Sequence, residues 1–264
     1  MEELKDYLRK PWWDGHIHLA GDTNVSPIAI NNVALASWTP SDDNRDLLPE
    51  LKKWQQEHPF DIVLANGVTY DYMKKALEDK TFQGIGEINV CKIYKRDESK
   101  PVIHYKDWNL FDLALEDGRP IYIHCDLEDR YDIAKLEKRI QAHPNVKINI
   151  CHLGCNSCFS TYGNLIAIKN FIKLQTKYHN VWGDISWIAL DTVLDNHIIQ
   201  GSNPEKVSEL DLSRIIIGSD LFRNPANPAI DDIRKQQILE LDSIIHNAKN
   251  IQSFFNTNRI PKWL

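Results

Sequence analysis

The 264-residue sequence has no apolar run approaching ~20 residues, which excludes a membrane-spanning helix. It has no low-complexity block and no basic stripe. Its 31 basic and 37 acidic side chains are spread along the chain and leave a formal net charge of −6, so neither duplex nucleic acid nor a membrane is an expected partner. The opening residues, MEELKDYLRKPWWDG, lack the apolar segment of a secretory signal, and none is expected. Cysteine is scarce and odd in number: there are five, with Cys151, Cys155 and Cys158 crowded into one segment. That is not a disulfide framework, and reduced thiols in a cytoplasmic protein are expected. No glycine-rich phosphate loop follows the first apolar strand, which weakens the case for an open doubly wound sheet. What remains, 42% hydrophobic and 26% charged, is an ordinary globular composition of a length suited to one core.

Strand-like runs recur at regular intervals: 13–19, 32–37, 61–69, 82–90, 120–125, 146–154, 181–187 and 214–220. Several are nearly continuous apolar runs rich in Val and Ile, as parallel strands covered on both sides require. Amphipathic segments lie between them. Ser41 offers an N-cap with an acidic first turn, and that helix stops at Pro59. YKDWNLFDLALEDGRP ends at Gly118, a C′ residue. LEDRYDIAKLEKRIQAHP and TYGNLIAIKNFIKLQTKYH carry the 3.6-residue spacing of surface helices. The first connection is too short for a full helix, and 188–213 reads as a short helix plus a loop. The expected fold is therefore a (β/α)8 TIM barrel, one domain over 1–264, with an abbreviated first unit and a helix over residues 1–10.

Polar side chains recur at one end of these strands. Asp14, His16 and His18 lie on the first; i and i+2 point the same way in an extended chain, so His16 and His18 can converge on one ion. Glu87 lies late in the fourth strand, His124 ends the fifth, His152 the sixth and Asp220 the eighth. All fall toward the carboxyl ends, where barrel enzymes build their sites. Singly, each has a plainer reading as a core histidine, a helix N-cap or an edge carboxylate. Together, four histidines and two carboxylates form a nitrogen-and-oxygen donor set suited to zinc, manganese, iron or nickel rather than calcium. One carboxylate can bridge two ions, and Asp220 can accept the proton of an activated water. Hydrolysis is the reaction class this set suits best.

In these residues the sequence resembles the amidohydrolase superfamily. DGHIHL resembles its opening H-x-H motif, YIHCD and CHLG its two later histidine strands, and IGSDLF its final aspartate, with HLG and GSD closest to the amidohydrolase-2 type. GIGEINV is also similar to the glutamate-bearing strand of TatD-type deoxyribonucleases. The resemblance implies that His16, His18 and Asp220 hold one divalent metal, expected to be zinc, and that His124 and His152 hold a second. Glu87 would bridge them. Asp220 and His152 would be the catalytic residues of a metal-dependent hydrolase of a C–N, C–O or P–O bond. The alternative is a decarboxylase with a single metal, as in amidohydrolase-2 relatives; a TatD-like nuclease is more remote.

The substrate is expected to be small and anionic. Lys92, Tyr94, Lys95 and Arg96 follow the fourth strand and Arg223 follows Asp220, although the first group also reads as a solvated loop paired with Asp97 and Glu98. Trp187, beside the seventh strand, is a candidate for stacking on it. A homo-oligomer is compatible with the sequence. One stretch has a rival reading. In CHLGCNSC the C-x3-C-x2-C spacing resembles the cluster-binding signature of radical S-adenosylmethionine enzymes. Cys151 lies in a strand beside His152, however, and alternation predicts that Cys151 faces the helices when His152 faces the site. His152 is then the functional residue of that stretch; Cys155 and Cys158 lie in the loop beyond it.

Overall fold

A computed structural model describes residues 13–19, 31–36, 48–57, 59, 61–65, 69–90, 92–94, 103–105, 108–155, 161–186, 189, 210–218, 241 and 245–256. All eight expected strands form: β1 (Trp13–Leu19), β2 (Asn31–Ala36), β3 (Ile62–Ala65), β4 (Gly84–Asn89), β7 (Ile121–His124), β8 (Ile148–Ile150), β9 (Val181–Ile185) and β10 (Ile215–Ile217). They make one eight-stranded sheet in the order of the chain, β1-β2-β3-β4-β7-β8-β9-β10, and every pairing is parallel. Parallel neighbours need a crossover between them. Among the described residues, helices α1 (Leu48–Glu57), α2 (Tyr70–Glu78), α3 (Trp108–Asp117), α4 (Arg130–Ala142) and α5 (Thr161–Lys177) supply the five crossovers from β2 to β9, and α6 (Asn247–Phe255) follows β10. This is a (β/α)8 barrel.

The two end strands of the sheet meet at a glycine seam. A Cβ placed on Gly218 would stand 2.3 Å from the Cβ of His16, and one on Gly15 would stand 2.7 Å from the carbonyl oxygen of Ile217. Glycine at both positions lets β1 and β10 approach almost backbone to backbone and close the barrel.

Strand alternation sorts the core into two layers. Val63, Ile85, Ile121, Ile148, Val181 and Ile215 pack outward against the helices. Ile62, Leu64, Tyr122, Trp182 and Ile216 point inward, where Ile251, Phe254 and Phe255 of α6 meet them. Phe254 lies edge-on to Tyr122 (5.5 Å) and Trp182 (5.3 Å), so aromatic rings fill the amino-terminal end of the barrel. Two arginines fix that end. Arg119, just before β7, ion-pairs with Asp117 and donates to the carbonyls of Leu77, Asp79 and Phe82. Arg214, just before β10, does the same with Asp211, Gln175, Tyr178 and Val181. Each fork takes up carbonyls that helix ends and turns leave without an intrahelical partner.

The helix signals hold where they are described. Asp129 caps α4 by accepting from the N–H groups of Tyr131 and Asp132, and Gly118 follows α3 at φ +83° with its N–H on Ala114. Several boundaries differ. The run expected to be strand over 61–69 is strand over Ile62–Ala65 among the described residues, and Thr69 caps α2. The loop after β4 is a two-stranded antiparallel hairpin, β5 (Lys92–Tyr94) with β6 (Ile103–Tyr105). Residues 1–10, Ser41 and most of 188–213 lie outside the described residues.

Candidate metal centre

Three buried histidines come together around one carboxylate at the carboxyl ends of the strands. Glu87, from β4, accepts a hydrogen bond at Oε1 from Nδ1 of His124 at 3.0 Å. The same oxygen is 3.7 Å from Nε2 of His152, and Oε2 is 3.9 Å from Nε2 of His16. The rings of His16 and His152 stack at 5.2 Å, and His124 lies edge-on to His152 at 4.9 Å. One donor atom each from His16, Glu87 and His152 lie within 4.8 Å of one another. Two ligands about 2.0–2.1 Å from a tetrahedral ion are themselves about 3.4 Å apart, so these separations fit an ion with little adjustment. Imidazoles and carboxylate also match what a borderline transition metal prefers. The donor set fits a metal.

His152 reaches this centre through an irregular turn. β8 ends at Ile150, and Cys151–Gly154 form a 3₁₀ turn in which His152 (φ 55°) and Leu153 (φ 53°) are left-handed. Such a conformation is unfavourable for residues with a Cβ and persists where the surroundings over-determine it. Here the backbone N–H of His152 donates to Asp184 Oδ1 at 3.0 Å. The turn corrects the expectation for Cys151. Alternation runs on from Asn149, which faces Asp184, so the Cys151 side chain points into the barrel with Tyr122, Trp182 and Ile216, and it is the left-handed His152 that leaves the strand pattern; one atom each of Cys151, His16 and Asp184 lie within 4.8 Å of one another. Cys155 is buried, its Sγ 3.6 Å from the carbonyl oxygen of Asn164. Burial, reinforced by Glu128 and Asp126, pushes its thiol well up and favours the neutral form.

Asp184, late in β9, was given no role by the sequence reading and proves central. It is fully buried. Oδ2 accepts from Asn149 Nδ2 (2.7 Å) and His16 Nδ1 (3.2 Å); Oδ1 accepts from the N–H of His152 and from Ser186 Oγ. Ser186 Oγ also meets His152 Nδ1 at 2.8 Å. Burial alone would push the Asp184 carboxyl group up, but the adjoining His16 ring, His152 and Ser186 outweigh it and hold the group below the ordinary carboxylate range. With both oxygens engaged by protein donors, Asp184 holds His16 and the backbone of His152 in place. The signal for it was present: an Asp in an apolar strand with a Ser two residues later, on one face, at the same end as the histidines.

The remaining candidates are distributed as follows. His18 is in β1, with its backbone paired to Leu35, but its side chain lies outside the described residues. The same holds for Lys92 and Tyr94 in β5. Asp220, Arg223, Trp187 and Cys158 lie outside the described residues altogether. The structure thus brings together His16, Glu87, His124 and His152. Trp182 packs in the barrel interior.

Residues 58–225 match the family model described as amidohydrolase, of the Amidohydro_2 type. The chain belongs to the amidohydrolase family. As an amidohydrolase it is an enzyme, of a family that typically binds divalent metal. No curated protein matches the sequence. Among solved structures, the amidohydrolase is similar to an Acinetobacter baumannii protein named a probable 2-pyrone-4,6-dicarboxylic acid hydrolase, with citric acid bound. The identity is 13% and the TM-score 0.58, over 93% of this chain and 99% of that one. A dihydroorotase from Campylobacter jejuni aligns at 16% identity and TM-score 0.54, over 94% and 84%. A protein named amidohydrolase II aligns at 13% and 0.52, over 93% and 99%. At these identities the likeness is one of fold. Among the described residues, no helix is long and apolar enough to cross a membrane.

Proposed function

We propose that this amidohydrolase is a two-metal hydrolase acting on a C–N, C–O or P–O bond of a small anionic substrate. One observation carries the two-metal reading: the Glu87 carboxylate lies among three buried imidazoles, with one oxygen toward His124 and His152 and the other toward His16. In this reading His16, His18 and Asp220 would hold one ion, His124 and His152 would hold the other, and Glu87 would be shared between them. Zinc is the proposed metal. When bound, such ions acidify a water and polarise the oxygen under attack. Asp220 takes a proton from the attacking water and hands it to the leaving group. His152, with its buried ring fixed on both sides, holds its nitrogen at the reacting end of the barrel. Lys92 and Arg223 supply positive charge for an anionic group and Trp187 a flat surface, and a structural relative named for a dicarboxylic acid supports that substrate class. We further propose that residues 1–264 form one domain and that the enzyme works in the cytoplasm.

Elemental analysis of protein purified without added metal tests the centre. Close to two transition-metal ions per chain are expected in wild type, and fewer in Glu87→Ala and His124→Ala. A chelator should abolish hydrolysis in a screen of phosphodiesters, lactones and N-acyl amides, and zinc should restore it. Wild-type protein that binds no transition metal even after supplementation sinks the mechanism. One ion per chain, with activity retained in Glu87→Ala, would instead support a decarboxylase.

A further inference from the structure

We infer that Asp184 is a positioning residue that fixes the ring tautomers of two histidines at once, His16 directly and His152 through Ser186. The inference takes from the proposed function only that these two rings face an ion.

Counting the protons around Asp184 sets both tautomers. The amide nitrogen of Asn149 and the backbone N–H of His152 can only donate, and they donate to different oxygens of Asp184, at 2.7 and 3.0 Å. Both oxygens therefore act as acceptors. His16 Nδ1 lies 3.2 Å from one of them, so Nδ1 carries a proton, and in the neutral ring Nε2 keeps its lone pair. Ser186 has one hydroxyl proton and directs it to the other oxygen. Its own oxygen must then accept the proton on His152 Nδ1, at 2.8 Å. The relay His152 Nδ1–H to Ser186 to Asp184 leaves Nε2 of a neutral His152 ring without a proton as well. Both bare nitrogens face Glu87, at 3.9 and 3.7 Å. A proton left on either Nε2 would have to be displaced before an ion could bind.

The arrangement is also a coupling. His16 stands on β1 and His152 just beyond β8, and the carboxylate of Asp184 on β9 sets both rings from one point. The two arms differ in construction, so they separate experimentally. Ser186 serves His152 alone, whereas Asp184 serves both. Ser186 is a simple i+2 partner of Asp184, on the same side of the extended chain.

Long-range ¹H–¹⁵N spectra of the metal-free, full-length protein read the tautomers without reference to activity. In wild type, His16 and His152 should show a protonated Nδ1 and a bare Nε2. Ser186→Ala should release the His152 ring and leave His16 as it was. Ser186→Thr, which restores a hydroxyl, should return His152 to the wild-type pattern. Asp184→Asn should disturb both rings. Zinc affinity, measured by competition with a chromophoric chelator, should fall about 10- to 100-fold for one ion in Ser186→Ala and recover in Ser186→Thr. Wild-type rings protonated at Nε2 overturn the inference. So does Ser186→Ala leaving His152 unchanged, or altering both rings alike. If Asp184→Asn fails to fold, the two Ser186 variants decide the question alone. The proposed tautomers in a protein that takes up no zinc would sink the metal reading and leave the positioning role standing. Zinc uptake with Nε2–H rings would do the reverse.

Discussion

Gly218→Ala tests whether the seam between β1 and β10 sets the place of His16. The added Cβ would stand 2.3 Å from the Cβ of His16 and 2.6 Å from its backbone nitrogen. Comfortable carbon contacts are about 3.5–4.0 Å, so the two strands must part by roughly 1 Å or more. Neither neighbour is the loose end of a side chain, so the strand itself has to move. Overpacking of this kind costs about 1–3 kcal/mol. At about 2–4 °C per kcal/mol for a large domain, Tm should fall by about 2–12 °C. The effect on the site should be larger, because a misplacement near 1 Å costs on the order of 100-fold in rate. Zinc titration and thermal unfolding of the same sample read both consequences. Gly118→Ala is the control: nothing lies within 4 Å of its Cβ, and the residue sits at φ +83°. It should lose about 1–2 kcal/mol from backbone strain alone and bind zinc as wild type does. A Gly218→Ala protein that melts and binds zinc like wild type would refute the reasoning.

Other outcomes follow from the core and the two arginine forks. Phe254→Ala removes the ring between Tyr122 and Trp182 and should lower stability by about 3–5 kcal/mol, read from the denaturant midpoint. Arg119→Met strands three backbone carbonyls and leaves Asp117 with Lys80 alone, and about 3 kcal/mol should be lost; Arg119→Lys should recover only part, since an ammonium cannot reproduce the fork. Acid should weaken the same region. The Thr81 hydroxyl and N–H, with Lys52, lower Asp79 to about 2 from 3.8. Burial pushes Asp117 up, but Arg119 and Lys80 outweigh it and lower it too. A lowered carboxylate contributes fully above its ordinary pKa and loses that contribution as pH falls through its folded value. The denaturant midpoint should therefore drop as pH falls from about 4 toward 2, and the Asp79→Asn, Asp117→Asn pair should flatten that drop.

Much of the fold was legible because buried parallel strands write themselves as apolar runs, and eight such runs in one chain leave few architectures. His16, Glu87, His124 and His152 were legible for a related reason: a polar residue ending an apolar strand needs a purpose. Asp184 met the same criterion and was missed, because its purpose depends on partners from β1 and β8 that only the register of neighbouring strands brings within reach. Cys151 faces the barrel against expectation because His152 does not continue the strand: the left-handed His152 and Leu153 turn the His152 ring to the side that Cys151 already faces. The β5–β6 hairpin hid within a charged run, since three-residue strands leave too short an alternation to detect. The aromatic plug in α6 carries no motif at all; its meaning comes only from what lies beneath it.

That plug has a consequence for how the barrel is made. Tyr122 and Trp182 are in place long before the residues that cover them, and Gly15 waits for a partner more than 200 residues away, near Gly218. Contacts this distant along the chain are slow to form, and unfinished barrels expose strand edges and apolar surface meanwhile. A growing chain that has not yet released Phe254 and Phe255 has an open amino-terminal mouth lined with aromatic rings. For that interval the exposed rings favour aggregation over a finished barrel.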